Sequence, residues 1–235
     1  MKTAIVIGAS SGIGMELSRI LSGNNYKLGL AARRLDKLME LKSELPNDAV
    51  CCQMDIVDTT SSMSAMKSLI KELGKVDLYI ISSGTGHINK NLEWKLEEDT
   101  IDVNVKGVVS IINVIMEELK RNNEGQLAVI TSIASMRGSS EAPSYNASKA
   151  FLSNYLEGLR AMVHKTKSNV VITDIKPGLV DTAMAKGEGL FWVMPLEKTS
   201  KQIYKAINRK KKIALVTKRW KLLSILFRIL PERFL

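Results

Sequence analysis

Short apolar runs alternate with longer amphipathic stretches along this 235-residue sequence. The seven runs are rich in β-branched residues and lack polar alternation, as expected of strands buried on both faces. They lie at Thr3–Ile7, Lys27–Ala31, Ala49–Met54, Val76–Ile81, Gln126–Thr131, Asn169–Ile175 and Lys212–Val216. Because strands that alternate with helices form βαβ units, this order predicts an α/β fold, with a doubly wound, parallel, seven-stranded sheet in three α/β/α layers.

The stretches between the runs have helical spacing. The first stretch begins near Gly12 and ends before Gly23. The others cover Leu35–Leu45, Thr60–Leu73, Lys95–Arg121 and Ser144 to about Lys165. No linker or repeat divides the chain, so one domain over residues 1–235 is predicted. The connection 178–195 is long and holds an apolar cluster from Leu190 to Met194. It predicts a substrate lid, or a patch that packs on a neighbouring subunit.

The composition excludes several classes of protein. Apolar residues make up 45% of the chain and charged residues 25%, which is typical of globular proteins and not of disordered chains. No stretch has the 18 uncharged apolar residues of a transmembrane helix, and no signal peptide is expected before the first glycines. Cys51 and Cys52 are neighbours, which favours a cytoplasmic setting, and no metal site is expected around His87 or His164.

The net charge of +10 is confined to the C-terminal part of the chain. Residues 196–235 hold 12 Lys+Arg and 2 Asp+Glu, whereas residues 1–195 hold 22 of each. The sequence of residues 217–230 predicts a basic amphipathic helix that contains Trp220 and ends before Pro231. Such a helix fits a peripheral contact with a membrane surface or packing at a subunit interface, with the membrane slightly favoured. It is too apolar to indicate nucleic-acid binding.

A glycine-rich turn follows the first predicted strand. It reads Gly8-Ala9-Ser10-Ser11-Gly12-Ile13-Gly14 and leads directly into a helix. In this position Gly8 permits a tight turn, Gly12 lets the backbone approach a pyrophosphate, and Gly14 lets the helix pack on the sheet. The free N–H groups of the helix N-terminus favour the anion. The turn therefore predicts a dinucleotide site.

The residues after the next three strands refine that site. Arg33 and Arg34 suit the 2′-phosphate of NADP, since a guanidinium binds a phosphate bidentately. Asp55 is placed either to accept a hydrogen bond from the adenine amino group or to act as a turn residue. Small residues at Ser83 and Gly84 let the backbone lie close to a cofactor ribose.

The catalytic prediction rests on Tyr145-Asn146-Ala147-Ser148-Lys149. Tyr145 and Lys149, four residues apart, share one helix face. A neighbouring ammonium is expected to lower the pKa of the Tyr145 phenol from about 10, so that it works as an acid or base near neutrality. Ser132 ends the preceding strand at the same edge and is expected to hydrogen-bond a carbonyl oxygen.

Together these motifs resemble the short-chain dehydrogenase/reductase family, over about residues 3–200. The resemblance implies a Rossmann-type fold and a pyrophosphate site at Gly8, Ser10, Ser11, Gly12, Ile13 and Gly14. It implies the NADP-preferring branch at Arg33 and Arg34, an adenine contact at Asp55, and a carboxamide contact at Pro177, Gly178 and Thr182. It also implies catalysis by Ser132, Tyr145 and Lys149, with Asn104 anchoring a proton-relay water. Tyr145 and Lys149 would also contact the cofactor.

One position departs from the family pattern. The family commonly has Asn-Ala-Gly after the fourth strand, where this chain has Ser83-Gly84 without the Asn. The expected function is interconversion of a carbonyl and an alcohol with NADP(H), on an apolar or lipid-like substrate, by a homo-oligomer. The alternative is a regulatory protein that binds NADP(H) without turnover.

Overall fold

The computed structural model describes residues 1–183, 192–217 and 220. Its sheet has the strand order β3-β2-β1-β4-β5-β6-β7, and every neighbouring pair is parallel. The strands are β1 Lys2–Ile7, β2 Tyr26–Ala32, β3 Ala49–Gln53, β4 Leu78–Ile81, β5 Glu124–Ile130, β6 Asn169–Pro177 and β7 Ile213–Val216. The predicted doubly wound, seven-stranded sheet is confirmed.

Helices cover both faces of the sheet. They are α1 Gly12–Gly23, α2 Leu35–Glu44, α3 Thr59–Leu73, α4 Trp94–Ile101, α5 Val108–Asn122, α6 Pro143–Lys165 and α7 Leu196–Asn208. A π-helix, Asp102–Gly107, joins α4 to α5, and a 3-10 turn, Ile133–Met136, precedes α6. The termini follow local rules: Asp58 caps α3 by accepting from Ser61 N at 3.0 Å, and Pro143 begins α6.

Two apolar cores form because alternate residues of each strand point to opposite faces. Ile5 and Ile7 of β1 pack with α3, α5 and α6, whereas Ala4 and Val6 pack with α1, α2 and α7. Full burial of one such aliphatic side chain contributes about 1.5–3 kcal/mol. The cores fix the seven strands side by side, so their carboxyl ends meet along one edge.

Two parts of the helical prediction are wrong. The helix predicted over Lys95–Arg121 is interrupted by the π-helix. Gly107 of the π-helix packs against the segment after β3, since a Cβ on it would stand 2.6 Å from the carbonyl oxygen of Ile56. Helix α7 has no counterpart among the predicted helices, although its buried Ile203 and Ile207 have helical spacing. Three lysines and the polar residues between them obscure that stripe in the sequence.

The predicted C-terminal helix 217–230 lies outside the described residues, except for Thr217 and Trp220. The predicted lid 178–195 is described only at its two ends. These ends are joined by backbone hydrogen bonds from Asp181 N to Met194 O and from Met194 N to Leu179 O, both 2.9 Å. Among the helices of the described ranges, none combines the length and hydropathy needed to cross a bilayer.

Candidate active site

The order of the strands reverses between β1 and β4, and the carboxyl edge of the sheet at this point is called the crevice below. Strands β2 and β4 flank β1 on opposite sides, so the chain reverses its direction of winding there. In open α/β sheets, ligands bind outside the strand ends at such a switch point. The sheet order therefore brings the glycine turn after β1 to the same edge as the residues after β4, β5 and β6.

The glycine turn forms a cradle of backbone. Gly8 has a φ of 85°, and its N–H donates to the carbonyl of Ala31 at 2.8 Å. A Cβ on Gly14 would collide with the carbonyl of Gly8, so α1 packs closer to the sheet than any other residue allows. Ser11 is the N-cap of α1, but its side chain makes no capping hydrogen bond. The first N–H groups of α1 are thus available to an anion, and they fit a pyrophosphate.

The two arginines after β2 differ in placement. Nη2 of Arg34 donates to the hydroxyls of Ser10 and Ser11, both at 3.1 Å, so its charge lies over the glycine turn. Arg33 is exposed, and only its backbone carbonyl is engaged, by Nε2 of Gln53 at 3.1 Å. The structure therefore brings Arg34 to the site, together with two hydroxyls that suit a phosphate, and leaves Arg33 beside it.

Asp55 lies at the same edge but is engaged locally. Its Oδ1 accepts from the backbone N–H of Val57 at 3.1 Å, which is the turn role. The contact with adenine stays a prediction. Ser83 packs against the glycine turn, since a Cβ on Gly8 would lie 2.6 Å from its backbone nitrogen. Ile13 is half-buried in the first turn of α1.

Asn104 ties three elements together from inside the π-helix. Its Oδ1 accepts from the N–H of Thr85, and its Nδ2 donates to the Thr85 carbonyl, each at 2.8 Å. Nδ2 also donates to Oγ of Ser148 at 3.0 Å. These bonds fix the segment after β4, where the chain lacks the family's usual Asn. Both amide hydrogens are occupied, and the contact of Asn104 with a proton-relay water stays a prediction. Asn104 lies in a π-helix, a type of turn that frequently marks functional sites.

Ser132 and Tyr145 meet at the end of β5. Ser132 is the N-cap of the 3-10 turn, where its Oγ accepts from Ala134 N at 3.1 Å. The same hydroxyl forms a hydrogen bond with Tyr145. Gly86 covers the phenol ring so closely that a Cβ would lie 2.6 Å from Cδ2. The hydroxyl and the phenol are thus held together at the mouth of the crevice.

Lys149 lies one turn farther along α6, and its side chain is buried. Nζ is 5.7 Å from the centroid of the Tyr145 ring, within cation–π range. It makes one long hydrogen bond, 3.4 Å to the carbonyl of Ile130. A Cβ on Gly84 would stand 3.1 Å from Nζ, so the ammonium faces the segment after β4. Burial lowers the pKa of Lys149 to about 8, although Asp174 opposes the shift.

The expected pKa shift of Tyr145 is wrong for the protein's own groups. Burial raises the pKa of the Tyr145 phenol, and the hydrogen bond with Ser132 is the influence that opposes it. Desolvation of the phenolate outweighs that hydrogen bond. Tyr145 is therefore built as a proton donor at neutral pH.

The segment after β6 faces the glycine turn. The methyl group of Thr182 would lie 3.5 Å from a Cβ on Gly12, so the two sides of the crevice meet there. Pro177 ends β6, and the indole of Trp220 lies directly on the Cα of Gly178, with no room for a Cβ. Gly178 is thus open on one side only. The order of these residues along the edge fits an extended dinucleotide with one end near Arg34 and the other near Gly178.

Sequence reasoning missed four charged or polar residues near the site. Asp174 and Lys176 are buried in β6 at 1% and 8% exposure, although the run was treated as apolar. Two opposite charges two residues apart on an interior strand could have indicated a buried ion pair. Nε2 of His87 lies 2.7 Å from Oδ2 of Asp99. No local pattern in the sequence pairs His87, which lies in a loop, with Asp99 in α4.

Comparison with known proteins agrees with this geometry. Residues 2–190 match the family model described as short chain dehydrogenase. The chain is 31% identical over 188 residues to an uncharacterized oxidoreductase of Myxococcus xanthus, covering 78% of this chain and 74% of that protein. It is 31% identical over 186 residues to an uncharacterized oxidoreductase of Staphylococcus aureus, covering 78% and 80%.

Solved structures share the fold at lower identity. An alcohol dehydrogenase from Thermococcus sibiricus, complexed with 5-hydroxy-NADP, has a TM-score of 0.81 at 23% identity, covering 92% of this chain and 94% of that one. A short chain dehydrogenase/reductase from Burkholderia phymatum, in complex with NAD, has a TM-score of 0.85 at 18% identity, covering 96% and 92%. The family match spans most of the chain. The chain belongs to the short-chain dehydrogenase/reductase family of oxidoreductases.

Proposed function

We propose that this protein is an NADP(H)-dependent oxidoreductase that interconverts a carbonyl compound and a primary or secondary alcohol. The observation that carries the proposal is the meeting of Ser132, Tyr145 and Lys149 at the edge where the glycine turn opens. Arg34 over Ser10 and Ser11 supports NADP as the cofactor. The solved relatives support a nicotinamide cofactor without choosing one, since their complexes contain either NADP or NAD forms.

Each residue has a defined part in reduction. Bound NADPH would supply the hydride that the carbonyl carbon accepts. The hydroxyl of Ser132 donates to the carbonyl oxygen and orients it, and Tyr145 donates the proton that turns the alkoxide into an alcohol. Lys149 holds the ribose hydroxyls and stabilises the phenolate that Tyr145 becomes. Oxidation of the alcohol follows the same steps in reverse, with the Tyr145 phenolate as base.

Replacement of the phenol tests this assignment. Tyr145→Phe should abolish turnover on ketones and aldehydes and leave NADPH affinity nearly unchanged, as measured by absorbance at 340 nm and isothermal titration. Tyr155→Phe is the matched control, because Tyr155 is on the same helix but stacks on Phe151 at the surface. A wild-type protein that binds NADPH tightly yet turns over no carbonyl would contradict catalysis and support the regulatory alternative.

An apolar substrate is supported by exposed side chains on both sides of the catalytic edge. Ile88, Leu92 and Trp94 follow β4, at 50%, 64% and 67% exposure, and Trp192 at 45% belongs to the predicted lid. The kcat/KM for straight-chain aldehydes should then rise roughly fourfold per methylene, at about 0.8 kcal/mol each. Trp192→Ser should flatten the series, whereas Ile213→Ser, at the opposite edge, should not. A flat wild-type series would refute an apolar site.

A homo-oligomer is supported by the outer face of α6. Phe151 is 44% exposed there, and its ring stacks on Tyr155 with centroids 6.0 Å apart. Small residues, Ala147 and Gly158, leave that face flat and exposed. Phe151→Asp should convert the oligomer to a monomer in light scattering, with Ile213→Asp as control. A wild-type monomer would refute the proposal.

We propose further that the enzyme is cytoplasmic and meets an anionic membrane surface through its C-terminal segment. Two observations support this idea: Arg209–Lys212 precede the amino end of parallel β7, whereas Thr217 follows its carboxyl end, and Trp220 lies against Gly178. A chain ending at Trp220 should lose co-sedimentation with anionic vesicles but keep its fold. Loss of oligomerisation without any wild-type vesicle binding would favour subunit packing instead.

A further inference from the structure

A buried cluster of charges lies behind the proposed catalytic lysine. It consists of Asp174 and Lys176 on β6, which are 1% and 8% exposed, and Lys149 on α6, which is 4% exposed. Two cations and one anion are thus enclosed together. Charged side chains are almost never fully buried unless they are paired, because desolvation costs several kcal/mol per ion. The single carboxylate therefore has two ammonium groups to stabilise.

Lys176 is held by a complete set of acceptors. Its Nζ donates to Oγ of Ser135 at 2.9 Å and to Oγ of Ser153 at 2.8 Å, and it lies 3.3 Å from Oδ2 of Asp174. An ammonium has three hydrogens, so none is left for a ligand. The geometry gives Lys176 no free donor with which to bind substrate or cofactor. Its part in the cluster is to fix the carboxylate.

Asp174 is fixed from its other oxygen as well. Oδ1 accepts from Oγ1 of Thr131 at 2.5 Å, so both carboxylate oxygens have donors and the group cannot turn. Thr131 directly follows Ile130, whose carbonyl accepts from Lys149. Asp174 and Lys149 are therefore held by consecutive residues at the end of β5. The Asp174 charge favours the ammonium form of Lys149.

Lys149, in contrast, keeps donors for a ligand. Its hydrogen bond to Ile130 is long, at 3.4 Å, and among the residues that the structure describes no other acceptor is bonded to its Nζ. Asp174 thus attracts the ammonium without forming a direct ion pair that would turn it away from the crevice. A direct pair would occupy the donors that the proposed chemistry needs.

We propose that Asp174 is a positioning residue for Lys149, and that its carboxylate, held by Thr131 and Lys176, keeps the Lys149 ammonium charged at the pH at which the enzyme works. This inference rests on the proposed function, in which the charged Lys149 supports Tyr145. The titratable groups that face Lys149 are Tyr145 on its own helix and Asp174 on β6, with Lys176 behind the carboxylate. The attraction of Asp174 opposes the burial that lowers the pKa of Lys149 to about 8.

Two substitutions of opposite charge effect distinguish this role from a packing role. Asp174→Asn keeps an oxygen that accepts from Thr131 but removes the negative charge, so the pKa of Lys149 should fall by about one unit. Lys176→Gln keeps polar contacts but removes the competing cation, so the pKa should rise. Thr173→Val is the control, because Thr173 is equally buried in β6 but bonds to Gln126 on the opposite face.

The titration is read directly from the 13Cε chemical shift of Lys149 in protein labelled with [13C]lysine, with the signal assigned by its loss in Lys149→Met. The high-pH limb of the kcat profile should move in the same directions. An unmoved signal in Asp174→Asn, or shifts of one sign in both variants, would overturn the proposal. If Asp174→Asn does not fold, Lys176→Gln decides alone: an upward shift supports the proposal, and no shift or a downward one refutes it. Because the NMR readout needs no turnover, failure of the proposed reaction would be recognised separately.

Discussion

The two halves of the sheet build their parts of the crevice from different materials. The half containing β1–β3 presents backbone N–H groups, glycines and an exposed Arg34. The half containing β4–β6 presents buried polar side chains, with Asn104 at 0% exposure and Lys149 at 4%. The first half binds an anion with groups that cost the fold little, since the N–H groups of a helix N-terminus lack partners in any case.

The second half stores charge where water is excluded, and this weakens the fold. Desolvation lowers the pKa of Lys149 and raises that of Tyr145, so the charged form of each group is less favourable here than in water. The comparison indicates that substitutions in the first half act through shape and binding. Substitutions in the second half should lower the activity and raise the stability of the fold.

The largest effect is expected where the first half has no spare volume. Gly14→Ala would place a Cβ against the carbonyl of Gly8 and force α1 away from β1. We expect NADPH affinity to fall at least about a hundredfold and the free energy of unfolding to fall by about 1–3 kcal/mol. Titration calorimetry and urea denaturation measure the two quantities.

Gly23→Ala is the matched control in the same helix. Gly23 ends α1, and a Cβ there would meet no atom within 4 Å. Stability should stay the same or rise by up to about 1 kcal/mol. Equal losses in both variants would mean that helix propensity, and not contact with Gly8, determines the result.

In the second half, Lys149→Met should remove turnover but stabilise the fold. The pKa of Lys149 is about 8 in the folded protein and about 10.4 when unfolded, so the unfolded chain binds more protons between these values and the wild type gains stability as pH rises. The variant should be more stable by about 3 kcal/mol below pH 8. The advantage should shrink above pH 8 and vanish near pH 10.4.

Urea unfolding of both proteins from pH 6 to pH 10.5 tests this sign. The difference between the two curves isolates Lys149 from the other groups that titrate in this range. A variant that is less stable at pH 7 would mean that Asp174 contributes more than desolvation costs, and the contrast between the halves would be lost.

Arg34→Ala should have a smaller, purely binding effect. A charge-assisted hydrogen bond is worth about 1.5–3 kcal/mol, so NADPH affinity should fall at least about tenfold while NADH affinity stays unchanged. Arg33→Ala should cost less, because its guanidinium does not contact the glycine turn. Equal losses for the two arginines would show that both reach the phosphate.

The smallest effect is expected from an exposed pair in the catalytic half. His87 and Asp99 are bonded at 2.7 Å, but their side chains are 32% and 42% exposed. His87→Gln should change the free energy of unfolding by less than about 1 kcal/mol, as measured by thermal and urea unfolding. A larger loss would show that position in the catalytic half, and not burial, controls the cost.

Much of the fold and site follows from local patterns in the sequence. Strand and helix periodicity gives the order of the elements, and short βαβ connections leave few topologies open. The spacing of Tyr145 and Lys149 on one helix face, and of Gly8 and Gly14 around a turn, is also local. Such features are predictable because neighbouring residues alone determine them.

Tertiary packing decided the rest, because it brings together residues that no local pattern relates. The carboxylate that favours the charged form of Lys149 is that of Asp174, 25 positions away. Arg33 and Arg34 are neighbours in the sequence, but Arg34 is the one whose guanidinium contacts the glycine turn. Arg209–Lys212 precede the amino end of β7, whereas Thr217 follows its carboxyl end at the opposite edge of the sheet, a separation that the sequence does not reveal. Charge and burial depend on long-range contacts, so the sequence determined which groups are present, and the fold determined which of them act on one another.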